Sequence, residues 1–417
     1  MRKGWLGLGL GFVCLVLAVS ACGASGGDDT AGPSLGGSSN GGSGGKPSGG
    51  GSGGTSGSSA SGGTGGGVIL PDAPPPDQDS DDDGMMDSQE GAGDDDGDGI
   101  PNKNDPINDG DPPTITLTGI STTFNSPIGI DYHEPTNSVV VSVNYPTGTP
   151  SGFELIQQNG THQQFSGLTG LTDEVKIATA RSKNPAGFKV GDLFVGNGID
   201  GQIVRITDGG QTVVNPWVDL PGDNNGLMRG SLYIDRTGEF GGDLCVVTTS
   251  GEVWRVTVAG IPTKIASVGT HLEGTLVVPN KPARFGPVAG KLLAGAETAH
   301  VLYAFNPDGT YQTYTLGVDV EDIDWIGPNE NFFGVNFGTS KLLGAGYEQF
   351  KPMMGDVLLT QEGASGSVGL FRLKWDGAQL VAQPIPISTT SATVGQWEHV
   401  TFAPAGIVEI PPPPPPA

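Results

Sequence analysis

Twelve positions between Asp79 and Asp105 have the residue types and spacing to hold divalent cations. Two copies of an acidic phrase, D-x-D-x-D-G-x-x-[DN]-x-x-[ED], start at Asp79 and Asp94. Ca²⁺ takes six to eight oxygen ligands, and carboxylates at loop positions 1, 3 and 5 converge if the chain turns sharply after the third. Those positions are Asp79, Asp81 and Asp83 in the first copy, and Asp94, Asp96 and Asp98 in the second. Gly84 and Gly99 stand where the turn needs backbone freedom. Position 7 lends a carbonyl from Met85 or Ile100, and position 9 a side chain from Asp87 or Asn102. Position 12 closes each shell with Glu90 or Asp105. A charge run is most often a solvated linker. Two complete ligand phrases, each with its glycine, argue instead for Ca²⁺ as the cofactor.

Pro74, Pro75 and Pro76 precede the first loop, and Pro101 and Pro106 interrupt the second, so this is not a helix–loop–helix hand. Residues 77–111 resemble the thrombospondin type 3 repeats of bacterial surface proteins. Those repeats often carry paired cysteines, and this segment has none. The resemblance therefore implies that metal alone orders it, with a flexible coil expected without metal.

The charge of the chain is concentrated here. Of the net −25, −14 lies within residues 72–111. No basic patch exists elsewhere, which argues against a nucleic-acid partner. Cys14 falls in a leader, Cys22 at its end, and Cys245 in an apolar strand where it reads as a small buried hydrophobe. No disulfide is expected.

The elements that must carry these loops begin with an address. Arg2 and Lys3 precede an apolar run from Trp5 to Val19, of signal-peptide length. Val19-Ser20-Ala21-Cys22 resembles the lipobox of bacterial lipoproteins, which implies cleavage after residue 21 and lipidation of Cys22. Gly23 beside it implies sorting to the outer membrane, surface-exposed or periplasm-facing. Residues 22–76 are Gly, Ser and Pro-rich, so a disordered linker is expected. Its Gly/Ser part, about 45 residues, would span roughly 35–40 Å.

Residues 114–406 change to short β runs punctuated by turns. An inner strand opens on a polar residue at Glu174, Arg229, Glu273, Glu321 and Glu398, with Pro127 to Tyr132 as the first copy. Strongly apolar strands follow, among them Val139–Val143, Asp243–Val247, Phe332–Val335 and Asp356–Leu359. Hairpin turns at Asn159-Gly160, Asp208-Gly209, Ala259-Gly260 and Asp308-Gly309 are spaced by 49, 51 and 49 residues, and Asp376-Gly377 lies 68 further on. A period near 50 with four strands per unit predicts an all-β fold, a six-bladed β-propeller. The long interval around Ser340-Lys341-Leu342-Leu343 predicts an irregular blade, and Trp397 to Val400 would close the ring. The head is similar to NHL, YncE and SMP-30-like propellers. Pro411 to Pro416, within a tail of residues 407–417, reads as a polyproline rod.

Inner strands of a propeller run the same way, so one register gathers at one mouth. That places Glu174, Arg229, Glu273, Glu321 and Glu398 together. The ends of the second strands, Asn197, Thr249, Glu297, Asn336 and Glu362, return to the same place. Arg229 is then expected as the lone cation among carboxylates, and a metal or cationic ligand as the occupant. His399, beside Glu398, is the histidine worth testing. No nucleophile elbow or phosphate loop occurs, and no catalytic residue is assigned. The reading is a lipid-anchored, calcium-binding cell-surface protein whose propeller recognises an unknown surface ligand. Its alternative is a metal-dependent hydrolase of a sugar lactone or related ester, as the SMP-30-like resemblance implies.

Overall fold

The computed structural model describes residues 77–81, 85–94, 100–105, 110–121, 125–145, 151–157, 161–171, 173–229, 232–363, 367–390 and 393–406. The leader, Cys22, the linker, the Asn159-Gly160 turn and the proline tail lie outside them, as do Asp83, Asp96 and Asp98.

Residues 115–404 form six sheets around a closed ring. The first blade takes Ile130–His133, Ser138–Val143, Gly152–Ile156 and His162–Gln164 from the centre outward. The second takes Ala178–Thr179, Leu193–Gly196, Gln202–Thr207 and Thr212–Asp219; the third Leu232–Ile234, Leu244–Val247, Glu252–Val256 and Pro262–Ser267. The fourth takes Glu273–Val277, Leu292–Ala296, Val301–Phe305 and Tyr311–Tyr314. The fifth takes Val320–Trp325, Val357–Gln361, Gly369–Trp375 and Leu380–Pro384.

The sixth blade corrects one strand assignment. Phe332–Val335 does not pair with the Glu321 strand. It belongs to Glu330–Asn336, which pairs with Lys341–Ala345 on one side and with the inner strand Trp397–Pro404 on the other. The fifth blade thus lends a hairpin to its neighbour between its own first and second strands. Ile115–Ser121 then pairs with Lys341–Ala345, and Ile387–Thr389 adds a parallel outer strand. Ile115–Ser121, Trp397–Pro404 and the inserted hairpin together close the ring, and that hairpin accounts for the interval of 68 residues.

Second strands such as Ser138–Val143 and Leu244–Val247 are buried on both faces, so they read as continuous apolar runs rather than alternating ones. The core is a circuit of layers between neighbouring blades. Val140, Val195 and Ile206 fill the first–second gap, and Phe332, Phe402 and Leu358 the fifth–sixth. Cys245 lies in the layer between the third and fourth blades, wholly buried, and burial pushes its thiol pKa well up. Asp192–Arg205, Asp243–Arg255 and Asp356–Arg372 repeat one ion pair between second and third strands.

The acidic segment lies against this ring. It contains one helical turn, Asp87–Glu90, and a 3₁₀ turn, Asn102–Asn104. Met85 is buried, and the Arg372 guanidinium donates to the Gly110 carbonyl at 2.7 Å.

Candidate functional site

Three inner strands carry a bulge at, or next to, the carboxylate that faces the mouth. Glu273 pairs with Gly295 and Thr275 with Ala294, which leaves Gly274 extra. Gly274 has φ of 56°, and a Cβ there would sit 2.7 Å from Asp322 Cα, so only glycine makes this turn. Glu321 is the extra residue between Val320 and Asp322. In the sixth blade Glu398 and His399 together oppose Val335. A bulge bends the strand and re-aims a side chain. Here it frees carboxylates from the alternating pleat and turns them to a common centre.

The centre is acidic, and one member is basic. Oxygens of Glu273, Glu297 and Glu321 lie within 4.8 Å of one another; the first and last are buried, Glu297 is half-buried, and the three could hold a metal ion. Lys176, 1% exposed, donates through Nζ to Glu321 Oε1. Arg229 is therefore not the lone cation. It sits at the rim, with Nε 3.0 Å from Glu174 Oε2 and a guanidinium NH₂ donating to Asp173 Oδ1 at 2.9 Å. Gln396 donates to Glu362 and, at 2.8 Å, to Glu398 Oε1, which ties the sixth blade to the fifth.

Burial and mutual repulsion set the acidities. Burial and the nearby Glu362 and Glu273 push Glu297 up to about 7. Burial, only partly offset by Lys176, pushes Glu398 up to about 8, with Glu174, Glu362 and Glu273 adding to it. Glu321 is raised well above the usual carboxylate range by burial despite Lys176. Glu273 goes the other way: burial would raise it, but His271 and Lys176 together outweigh that. Lys176 would lose its proton to burial alone, and the surrounding Glu321, Glu273, Asp322 and Glu398 hold it firmly charged.

Not every expected residue lines the mouth. Asn336 is fully buried; its Oδ1 accepts from Gly395 N–H at 3.0 Å and Thr339 Oγ1 at 2.6 Å, so it braces the loop that carries Gln396. Asn197 donates to Gln202 and Asn215, and Thr249 accepts from Leu227 N–H, so both tie local loops. His399 lies inside the channel: its Nδ1 accepts from Ile130 N–H at 3.0 Å. Burial and Lys176 lower its pKa to about 3, so it is a neutral acceptor. Histidines that reach the mouth were missed. His271 Nε2 is 3.0 Å from Glu273 Oε1, and His300 bonds Asp319, which acts on Glu297. Their signal was adjacency to an inner-strand carboxylate and to a second-strand end.

Deeper in the channel, carboxylates satisfy the unpaired inner edge of the next blade. Asp322 accepts from Val400 N–H at 2.8 Å, Asp324 from Phe402 N–H at 3.1 Å, and Asp131 from Thr179 N–H at 2.7 Å. The cavity left there is only ≈ 30 Å³, room for about one or two waters. This stretch of the channel is thus packed rather than open among the described residues.

In the acidic segment, Asp87 accepts from Ser80 N–H at 2.8 Å and Ser80 Oγ at 2.7 Å. Glu90 Oε2 is buried with no hydrogen-bond partner among the described residues. Burial, then Asp81, Asp79, Asp87 and Asp105, push Glu90 up to about 8. Burial and Asp79 push Asp81 up to about 6. Asp105, expected to close the second loop, thus acts on the last ligand of the first. In the second copy, Asn102 N–H donates to Gly93 O at 2.7 Å.

No protein-family model matches the sequence, and no curated protein matches it. Solved structures are similar in fold. Virginiamycin B lyase from Staphylococcus aureus is 12% identical, over 70% of this chain and 97% of its own, with a TM-score of 0.41. A protein assigned as a gluconolactonase is 10% identical, over 68% and 85%, with a TM-score of 0.44. A chain of the nidogen/laminin complex is 8% identical, over 66% and 84%, with a TM-score of 0.44.

Proposed function

We propose that this protein is a lipid-anchored envelope protein whose propeller is a recognition module with a cation-seeking mouth, and whose acidic segment binds Ca²⁺. The observation that carries the mouth is the convergence of Glu273, Glu297 and Glu321 on one point. An all-carboxylate donor set suits a hard cation. Lys176 neutralises only part of the charge, which leaves the rim side, toward Glu297, for a divalent ion or an ammonium group. The repeated D-x-D-x-D-G phrase and the group of Asp79, Asp81, Asp87 and Asp105 acting on Glu90 support calcium in the segment. Cys22, at the end of an apolar leader, supports anchoring at the outer membrane.

The test is calorimetric. The intact chain is titrated with Ca²⁺, Mg²⁺ and Mn²⁺, beside Glu297→Gln and the Glu273→Gln/Glu297→Gln pair. Loss of one binding event in the variants, with the rest retained, supports the mouth. Identical isotherms would sink it. A second reading, hydrolysis of a lactone or related ester, is favoured by the same triad, since three carboxylates leave an ion open positions for water and substrate. A bound ion would supply a Lewis acid there. Turnover of a lactone panel, lost with Glu297→Gln, would decide for the enzyme.

A further inference from the structure

The acidic segment meets two cations of the head. Lys281 Nζ is 3.5 Å from Asp79 Oδ2. The Arg284 guanidinium acts on Asp81 in the sense opposite to burial and Asp79. Both belong to one short element: Lys281 caps the helical turn Pro282–Phe285, which contains Arg284. Arg284 cannot swing away. It is 9% exposed and donates to Met354 O at 2.5 Å and Asp356 Oδ1 at 3.2 Å. Beside it the segment is seated by Met85, whose Sδ would be 3.0 Å from a Cβ at Gly355. The contact is thus built from a fixed guanidinium, a half-buried ammonium and an apolar plug.

We infer that Lys281 and Arg284 form an electrostatic latch on the first acidic loop, so that docking of the segment and uptake of calcium oppose one another. This rests on the calcium reading of Asp79 and Asp81 proposed above. A divalent ion held by those carboxylates would lie beside two cations that the fold keeps in place, and like charges disfavour one another. The head therefore lowers the loop's affinity for the ion, and by linkage the ion weakens the latch by the same factor. The segment becomes a sensor of external calcium. At low calcium it is held to the head through its carboxylates, and at high calcium that attraction is partly cancelled.

The experiment is a calcium titration of the intact chain by calorimetry, with Lys281→Met, Lys281→Gln and Lys281→Arg. Circular dichroism checks that each variant keeps its β signature. Both neutral variants should bind calcium about two- to five-fold more tightly, the range of a partly exposed ion pair. Lys281→Arg should match the parent. Lys264→Met, which removes a lysine paired with Glu252 on the third blade, should also match. Equal or weaker affinity in both neutral variants overturns the latch and leaves calcium binding standing. Equal tightening by Lys264→Met overturns it too, because net charge would explain the effect. A flat titration of the parent overturns the calcium reading and the latch with it.

Discussion

Lys176 of the second blade crosses the channel to donate to Glu321 of the fifth, directly opposite. Both side chains are almost wholly buried, 1% and 4% exposed. Breaking a buried pair from one side strands a charge and costs about 3–5 kcal/mol. Lys176→Met should lower stability by that order. Lys176→Met with Glu321→Gln should recover at least about 1 kcal/mol of it, because no uncompensated carboxylate then remains at that point. Urea unfolding of the two single variants and the double variant measures the coupling. Simple additivity would show that the pair does not act as a unit.

Stability should fall as pH rises from 6.5 to 8.5. Glu297, at about 7, and Glu398 and Asp322, each at about 8, have folded-state values above the usual carboxylate range. Burial is the leading cause in each. The folded chain then binds more protons than the unfolded one, so this contribution is fully present at low pH and lost through the folded values. Urea midpoints in chelator should decline across the window, and less steeply for Glu398→Gln. A rising midpoint would contradict the assignment of raised acidities.

His399 should stay neutral far into acid. Burial and Lys176 place its pKa near 3. With a folded value below that of a free imidazole, protonation opposes folding, and this contribution is lost as pH falls below about 6.5. Nitrogen shifts of a selectively labelled imidazole should remain those of an unprotonated Nδ1 from pH 8 to 4.5. Titration near 6.5 would place the ring in solvent.

Asn336→Ala should loosen the mouth from a distance. It removes the acceptor of Gly395 N–H and of Thr339, both at the loop before Glu398 or beside it. Leaving buried partners unsatisfied costs about 1–3 kcal/mol. Amide exchange should rise in residues 393–396, and cation binding at the mouth should weaken without abolishing it. Unchanged exchange in that loop would remove Asn336 from any positioning role.

Much of this was legible in order along the chain. The turns at Asp208-Gly209 and Asp308-Gly309 and the apolar second strands set a period that only a ring of blades satisfies. Glu273, Glu321 and Glu398 were identifiable because inner strands share a direction, so equal register means equal depth. Other features were not legible. Nothing in the phrase Glu174-Val175-Lys176-Ile177 says that Lys176 rather than Arg229 reaches the centre. Strand alternation assigns faces, whereas bulges at Gly274, Glu321 and Glu398 break alternation at the site itself.

The amino-acid order by itself determined the blade repeat, the acidic phrases and the polar register at the mouth, because each depends on residues near one another in the chain. The tertiary structure decided which hairpin completes the sixth blade, which lysine answers Glu321, and that Met85 and Asp79 lie against the head. Those outcomes join residues at least about sixty positions apart in the chain. Their energies come from burial and from charges in a low dielectric, neither of which exists until the ring has closed.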